Sequence, residues 1–378
     1  MTALSAADFD YELPDELIAT RPAEQRDLSR LLLVERDTLS HHTFSSLPDL
    51  IEQKIGPGTL LVVNDSKVLL ARLYAKKRSP DGQLGGRVEL LLLEPHVGDD
   101  HKTSWRVMYR VSKPLRDGTT LQILDRHGEP LANRTLTVRC VEGEGRAIID
   151  FPTDVALDEV LSQAGELPLP PYIVRQRQLT GDIAQKEDDS RYQTVYAKVL
   201  GSVAAPTAGL HFTDTLLAEL SRRGIEKHSV TLHVGPGTFL PLRDDDPQKH
   251  VMHAERYHIP ESTSDAIARA RREGRKVLAI GTTVVRTLES ATKEGESVPT
   301  PGMGQSQLFI YPQAPSGRYA FRVVDALLTN FHLPRSTLLM LVAAFVGRER
   351  VLAAYAQAIA ARYRFYSYGD AMLLPGRM

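Results

Sequence analysis

The sequence predicts an α/β main domain with a mixed sheet and an inserted small antiparallel β-barrel domain. In the outer parts of the chain, apolar strand-like runs lead into small-residue turns and then into helical patterns. Between Val68 and Phe151, six short strand-like runs recur, separated by turns such as Pro80-Asp81-Gly82. We therefore assign residues 1–67 and 152–378 to a discontinuous α/β catalytic domain and residues 68–151 to the inserted barrel.

Composition limits the possible classes of protein. The 378 residues are 42% hydrophobic, which is enough for two domains with substantial cores. The single cysteine, Cys140, excludes an intramolecular disulfide and a cysteine-based zinc cluster. The N-terminus is acidic and no run approaches the ~20 apolar residues of a membrane span, so we expect a cytoplasmic protein with no membrane partner. A net charge of −1 restricts RNA binding to local basic patches such as Lys76–Arg78.

Local sequence patterns predict helices and strands before the insertion and directly after it. Helical patterns are predicted at Asp15–Ala19, 46–54 and Leu157–Ala164, and strands at Leu31–Val34 and Thr59–Val63. Arginines in the segment 21–30 are interspersed with acids, which fits either a salt-bridged surface or a phosphate-binding site. The prolines of LPLPPYI predict an extended linker.

Residues 201–240 contain two small-residue turns around one helix and one strand. The turn AAPTAGLH precedes a helix that begins near Asp214 and stops at Gly224, and the strand His228–Val234 leads into GPGTF. Neither turn has the spacing of a phosphate-binding glycine loop. Either turn connects elements or allows a ligand to approach the backbone closely.

The C-terminal part repeats the plan of strand, small turn and helix. The strand Val277–Ile280 leads into GTTVVRTLES, and Asp325–Thr329 leads into NFHLPRS before the helix Thr337–Val346. Open α/β sheets bind ligands at the carboxyl ends of their strands, so the polar residues that follow these two strands are expected to face one crevice. The segment HVMHAE lacks the spacing of a zinc-protease helix, and no metal site is predicted.

Residues at these strand ends are the candidate site. Histidine titrates near neutral pH without tuning, whereas an aspartate would need a raised pKa to act as a base. The alternative for each side chain is that it only braces a turn. The candidate catalytic residues are His211, His332 and Asp370. The candidate substrate-binding residues are Thr207, Gly209, Phe212, His233, Gly235, Gly237, Thr238, Thr282, Thr283, Arg286, Asn330, Tyr366 and Tyr368, with the two tyrosines placed to stack a base.

Several motifs together resemble the S-adenosylmethionine:tRNA ribosyltransferase-isomerase family of queuosine biosynthesis. They are DFDYELPDELIA, PLPPYI, YQTVYA, APTAGLHFT, TLHVGPGTF, HVMHAE, GTTVVRTLES, TNFHLPRSTLLMLV and YRFYSYGDAM, and they span the chain. The resemblance implies an α/β domain with an inserted barrel and no metal or prosthetic group. It also implies that S-adenosylmethionine is a co-substrate whose ribosyl group is transferred and isomerised onto 7-aminomethyl-7-deazaguanine at the tRNA wobble position, giving epoxyqueuosine, adenine and methionine.

Two other functions stay open at this point. One is an S-adenosylmethionine-dependent tRNA methyltransferase, although the glycine-rich loop expected after its first strand is not evident. The other is a non-catalytic tRNA-binding protein, which would not need so many histidines at strand ends. The resemblance implies the tRNA anticodon stem-loop as the partner, and we expect a monomer.

Overall fold

The computed structural model describes residues 4–96, 103–153, 156–182, 187–235, 246–250, 252–312 and 319–377. The chain forms two compact units, of which unit 1 comprises Met1–Lys67 and Pro170–Met378, and unit 2 comprises Val68–Leu169. Residues 152–169 thus belong to unit 2 and not to the main domain, to which we assigned them. The reason is that Val160, Leu161 and Ala164 bury their side chains in the apolar core of unit 2.

The strands and helices are numbered in chain order. The strands are β1 (Arg30–Val34), β2 (Leu39–Thr43), β3 (Leu60–Asn64), β4 (Ser66–Val68), β5 (Arg72–Arg78), β6 (Leu84–His96), β7 (Ser104–Val111), β8 (Thr120–Leu124), β9 (Pro130–Gly143), β10 (Arg146–Asp150), β11 (Val199–Ser202), β12 (Lys227–Leu232), β13 (Glu255–Ile259), β14 (Val277–Ile280), β15 (Gly302–Ser306), β16 (Ala326–Asn330) and β17 (Ala371–Leu374). The α-helices are α1 (Leu47–Lys54), α2 (Leu157–Ala164), α3 (Pro171–Thr180), α4 (Asp188–Arg191), α5 (Asp214–Arg222), α6 (Glu261–Arg272), α7 (Thr282–Ser290), α8 (Thr337–Val346) and α9 (Arg348–Ala360). Short 3₁₀ turns lie at Ala6–Phe9, Asp15–Leu17, Arg26–Leu28, Phe44–Ser46, Thr207–His211 and Pro247–Lys249.

Nine described strands of unit 1 form one mixed sheet in the order β15-β13-β12-β3-β14-β16-β17-β1-β2, and β11 pairs with β4 in a separate two-stranded sheet. Four neighbours, β12, β3, β14 and β16, run parallel, with Leu278 paired to Leu61 on one side and to Ala326 on the other. Their carboxyl ends therefore meet at one edge of the sheet, where open α/β sheets bind ligands. The predicted mixed sheet is confirmed.

Helix starts in unit 1 follow local chemistry. The side chain of Thr213 accepts a hydrogen bond from Leu216 N at the start of α5, and Ser336 does the same for Leu339 N at the start of α8. The extended linker predicted at LPLPPYI is wrong from Pro171 onward, because Pro171 is the first residue of α3. Proline suits that position, since the first N–H of a helix has no intrahelical acceptor.

Both faces of the unit 1 sheet carry apolar cores. On one face Val62 and Leu327 pack with helix α8, all of whose residues are buried. On the other face Leu61 and Leu328 pack with Phe44 and Phe212. Alternate residues of a strand point to opposite faces, so the same short apolar strands supply both cores.

Unit 2 has a separate antiparallel sheet of six strands in the order β10-β7-β6-β5-β8-β9. The last strand, β9, pairs with the first, β10. The predicted basic run Lys76–Arg78 lies at the end of β5, where the Lys77 amine donates to the backbone carbonyls of Lys113 and Pro114. These neutral carbonyls orient the Lys77 amine without compensating its charge.

None of the helices in the described ranges is both long enough and apolar enough to cross a membrane.

Candidate active site

The main pocket of unit 1 lies at the carboxyl ends of β14 and β16. It contains about 540 Å³ of space not filled by atoms, open solvent included. Six of the residues predicted from sequence line it. They are Thr207, Thr282, Thr283, Asn330, His332 and Tyr366. Four of the six, Thr282, Thr283, Asn330 and His332, lie at or just after the carboxyl ends of the parallel strands β14 and β16, as the rule for open α/β sheets predicts.

Helix α7 directs its first turn at this pocket. Gly281 precedes the helix with a φ of 89°, a conformation that favours glycine, and Thr282 and Thr283 follow at its first positions. The first backbone N–H groups of a helix have no intrahelical acceptor and carry partial positive charge. The buried Thr283 hydroxyl has no hydrogen-bond partner in the described structure. This end of the pocket can therefore bind a carboxylate or a hydroxyl.

Asn330 supplies an acceptor to the same pocket. Its Nδ2 donates to the carbonyl of Tyr366 at 3.2 Å and lies 3.2 Å from His211 Nε2. These contacts fix the orientation of the amide. Oδ1 is buried and has no partner among the described atoms. A buried acceptor without a partner costs free energy, so a donor from a bound ligand is expected there.

His332 is the one candidate catalytic residue that lines the main pocket. Its Nε2 lies 2.9 Å from the Thr329 hydroxyl, and its backbone N–H donates to the Tyr355 hydroxyl at 2.8 Å. Its backbone carbonyl accepts from the Tyr11 hydroxyl. Burial lowers the pKa of His332 to about 3, so the imidazole is neutral near pH 7, with one ring nitrogen unprotonated.

His211 lies behind the main pocket wall and uses both ring nitrogens internally. Nδ1 is 2.7 Å from the Ser29 hydroxyl, Nε2 faces the Asn330 amide, and the ring stacks on Phe44 at 4.9 Å. Burial, and then the charges of Arg364 and Arg26, lower its pKa to about 3. A neutral ring with an Asn330 N–H at Nε2 carries its proton on Nδ1. In this geometry His211 holds Asn330 in place.

Asp370 is buried with both carboxylate oxygens in use. Oδ1 accepts from the backbone N–H of Arg30 at 2.9 Å, and Oδ2 accepts from that of Arg364 at 2.8 Å. The carboxylate does not line the main pocket. It closes the turn that carries Tyr366, so its contacts are those of a positioning residue.

The two candidate stacking tyrosines have different surroundings. Tyr366 lines the main pocket with a φ of 71°, and its ring centroid lies 4.8 Å from that of Tyr172. A bulky residue in the left-handed region is uncommon and strained, and such residues cluster at ligand sites. Tyr368 is turned away, and its hydroxyl donates to Asp188 at 2.7 Å.

Four further predicted residues do not line the main pocket and make contacts elsewhere in unit 1. A Cβ on Gly209 would lie 2.1 Å from the Tyr196 hydroxyl, so this glycine permits close packing. Phe212 is fully buried, with its ring edge-on to Phe44. The ring of His233 lies against Gly201, and Gly235 donates its N–H to Glu255 at 3.0 Å. Gly237 and Thr238 lie outside the described residues.

Arg286 is buried in an ion pair. Its Nη1 donates to Glu255 Oε2 at 2.6 Å, with side-chain exposures of only 3% for the arginine and 6% for the glutamate. Because Glu255 also accepts the Gly235 N–H, the pair fixes the backbone that follows β12. Arg286 therefore acts on the site through Glu255 and does not line the main pocket.

The substitution Arg286→Met is expected to lower the free energy of unfolding by about 3–5 kcal/mol, because it leaves the buried Glu255 carboxylate without this counter-charge. Urea denaturation measures the difference. The double variant Glu255→Met and Arg286→Met is expected to recover part of the loss. A single variant as stable as the parent protein would contradict the role of the pair.

Sequence reasoning missed three residues around the main pocket. Tyr172 lines the pocket from α3, and its hydroxyl forms a hydrogen bond with the Ser367 hydroxyl. The Tyr11 hydroxyl donates a hydrogen bond to the His332 carbonyl. Thr329 also lines it and meets the His332 ring. The position of Thr329 directly before Asn330 at a strand end was a usable signal. Within the described residues, no three or more His, Cys, Asp or Glu side chains are grouped so as to hold a metal ion.

Comparison with known proteins covers nearly the whole chain. A family model described as queuosine biosynthesis protein matches residues 6–374. A protein from Anaeromyxobacter sp. (strain Fw109-5), named S-adenosylmethionine:tRNA ribosyltransferase-isomerase, is 51% identical, covering 97% of this chain and 98% of its own length. A relative of the same name from Thermus thermophilus is 48% identical, with 97% and 98% covered. A crystal structure of S-adenosylmethionine tRNA ribosyltransferase from Thermotoga maritima is 33% identical, with a TM-score of 0.50 and 97% and 99% covered.

Proposed function

Because the chain belongs to the queuosine biosynthesis protein family, we propose that it transfers and isomerises the ribosyl group of S-adenosylmethionine onto 7-aminomethyl-7-deazaguanine of tRNA. The products are epoxyqueuosine in the tRNA, adenine and methionine. S-adenosylmethionine enters as a co-substrate, and the reaction needs no prosthetic group. The observation that carries the proposal is the full-length identity of about half to relatives of that name.

S-adenosylmethionine binds in the main pocket. Its methionine part is a zwitterion, with one carboxylate and one ammonium group. The N–H groups at the start of α7 and the Thr283 hydroxyl suit the carboxylate, whereas Asn330 Oδ1 suits the ammonium or a ribose hydroxyl. Thr207 and Thr282 line the same cavity and supply further hydroxyls.

His332 removes the proton from the ribose 5′ carbon. The adjacent sulfonium makes that proton acidic, and the buried imidazole is in its basic form at neutral pH. Loss of the proton allows adenine to leave, after which the tRNA amine adds to the activated sugar and methionine departs. His211 and Asp370 contribute by holding Asn330 and the turn 364–370.

The RNA substrate is the anticodon stem-loop, whose loop bases are already partly unstacked and cost only a few kcal/mol to extrude. The wobble base stacks on Tyr366, the tyrosine that lines the main pocket. The six-stranded sheet of unit 2 is a small β-barrel that presents Lys76 and Arg78 to the RNA backbone. The enzyme works as a monomer in the cytoplasm.

Product analysis tests this function. The protein is incubated with S-adenosylmethionine and tRNA carrying the aminomethyl base, and small molecules are separated by chromatography. Adenine and methionine are expected in equal amounts. S-adenosylhomocysteine would indicate a methyltransferase, and an intact co-substrate would indicate a non-catalytic binder. Either result would overturn the proposal.

A further inference from the structure

A second pocket of unit 1 gathers three arginines next to the main pocket. It contains about 260 Å³ of space not filled by atoms, open solvent included, and is lined by Arg26, Arg191 and Arg364, with His211 in its wall. Ser367 lines both pockets, so the two are neighbours. The arginines come from three separate parts of the chain, so their convergence is a product of the fold.

Neutral groups hold two of these arginines in place. Arg26 donates to the carbonyls of Leu210 at 2.9 Å and Ser190 at 3.1 Å, and Arg191 donates to the carbonyl of Glu24 at 3.2 Å and to that of Ala23. Within the described part of the chain, no carboxylate forms an ion pair with either of them. Carbonyl groups orient the guanidinium groups but leave their charge uncompensated.

The charge of Arg364 is only weakly compensated by a carboxylate. It donates to the carbonyl of Arg21 at 3.2 Å, and its nearest carboxylate oxygen, on Asp370, is 3.8 Å away. Both oxygens of that carboxylate already accept backbone N–H groups. The side chain is 36% exposed, so the pocket can be reached from solvent.

The close arginines affect the protonation of one another. Burial, and then the charge of Arg191, lower the pKa of Arg26. Arg191 Nε is buried and has no hydrogen-bond partner in the described structure. Among the described residues, three guanidinium groups that share only the Asp370 carboxylate, 3.8 Å from Arg364, repel one another, and a bound oxyanion would offset that repulsion.

We propose that the pocket formed by Arg26, Arg191 and Arg364 binds a phosphodiester of the RNA substrate beside the nucleotide that enters the main pocket. The proposal rests on the proposed function, since it takes RNA as the substrate. Planar guanidinium groups suit phosphate oxygens, which accept two parallel N–H bonds from each. The methionine carboxylate is the other oxyanion in the reaction, but the start of α7 already offers it a site. His211 then links the two pockets, since it contacts Asn330 on one side and lines the arginine pocket on the other.

The double variant Arg26→Gln and Arg191→Gln tests this assignment. Binding of an anticodon stem-loop RNA is measured by fluorescence anisotropy at several salt concentrations. Loss of one phosphate contact is expected to reduce the slope of log affinity against log salt by about 0.7–0.9 and to weaken binding. The affinity for S-adenosylmethionine, measured by calorimetry in the absence of RNA, is expected to stay unchanged.

Two control variants keep the result interpretable. Arg272→Gln removes an exposed charge at the end of α6, five residues before β14 begins and so at the sheet edge away from the pockets, and it should leave the slope unchanged. Arg26→Lys with Arg191→Lys keeps the charge and should retain the slope with lower affinity. Thermal melting checks that each variant is folded.

Two outcomes overturn the proposal. An unchanged RNA slope with weakened S-adenosylmethionine binding would assign the pocket to the methionine carboxylate. An unchanged slope with unchanged co-substrate binding would mean that no substrate anion binds there. Both readouts are equilibrium affinities, so they are independent of the adenine release that tests the proposed function.

Discussion

Replacing His332 by asparagine is expected to lower the turnover number for adenine release by about 10²–10⁴-fold, the usual contribution of a positioned general base. Of the three candidate bases, only His332 lines the main pocket, and its pKa of about 3 keeps it unprotonated in the free enzyme. Asparagine keeps a polar amide near the position of the ring, although it is too short to reproduce the contact of His332 Nε2 with Thr329 Oγ1. Steady-state kinetics measure the loss, and KM for S-adenosylmethionine should change only a few-fold.

His228→Asn is the matched control for that substitution. His228 is half-buried near the start of β12, at the sheet edge opposite the strand ends that form the site. Its replacement should leave turnover at the level of the parent protein. A His332→Asn variant with full turnover would show that another group removes the proton.

A second large effect is expected on acid stability. His211 and His332 are buried with pKa values of about 3, against an ordinary value of 6.5 in the unfolded chain. Below pH 6.5 the unfolded chain therefore binds protons that the folded protein does not. The free energy of unfolding should fall with decreasing pH by about 1.4 kcal/mol per pH unit for each histidine, until the folded pKa is reached.

Urea denaturation between pH 6.5 and 5 measures this slope. The His211→Asn and His332→Asn double variant should lose about 2.8 kcal/mol per pH unit of the dependence, since two protons are no longer taken up. His258→Asn serves as the control, because its ring is exposed on β13, and it should keep the slope of the parent protein. Identical slopes for the double variant and the parent protein would contradict the buried, neutral state of both rings.

Local chemistry explains why much of the fold was predictable. The strand ends at Ile280 and Asn330 are short apolar runs followed by polar residues, and parallel pairing brings them together. The caps at Thr213 and Ser336 mark helix starts directly. Pro171 begins a helix where an extended linker was predicted, because proline breaks a helix interior but suits its first position.

The site was harder to predict than the fold, because the direction of a side chain depends on tertiary contacts. Gly209 and Phe212 lie in a motif with a functional composition, yet they pack against Tyr196 and Phe44. Arg286 follows two pocket threonines on α7, but its charge is taken up by Glu255, which is 31 residues away in sequence. No spacing rule within the sequence identifies such a partner.

The arginine pocket could not be predicted from sequence for the same reason, namely that tertiary contacts decide where each side chain lies. Arg26 was one of several N-terminal arginines, and the sequence left open whether they formed salt bridges or bound phosphate. In the structure Arg21 pairs with Asp182, and Arg30 lies over the Tyr363 ring at 3.8 Å. Only Arg26 of the three lines the pocket. The difference is set by contacts with segments more than 150 residues away.

Deuterium incorporation at the ribose 5′ carbon of S-adenosylmethionine tests most directly whether His332 in the main pocket is the base. The parent protein, incubated with the co-substrate and tRNA in heavy water, should place deuterium at that carbon in recovered S-adenosylmethionine or in the ribosyl product, as read by mass spectrometry. The His332→Asn variant should bind S-adenosylmethionine and incorporate none. Incorporation by His332→Asn at the rate of the parent protein would contradict the assignment.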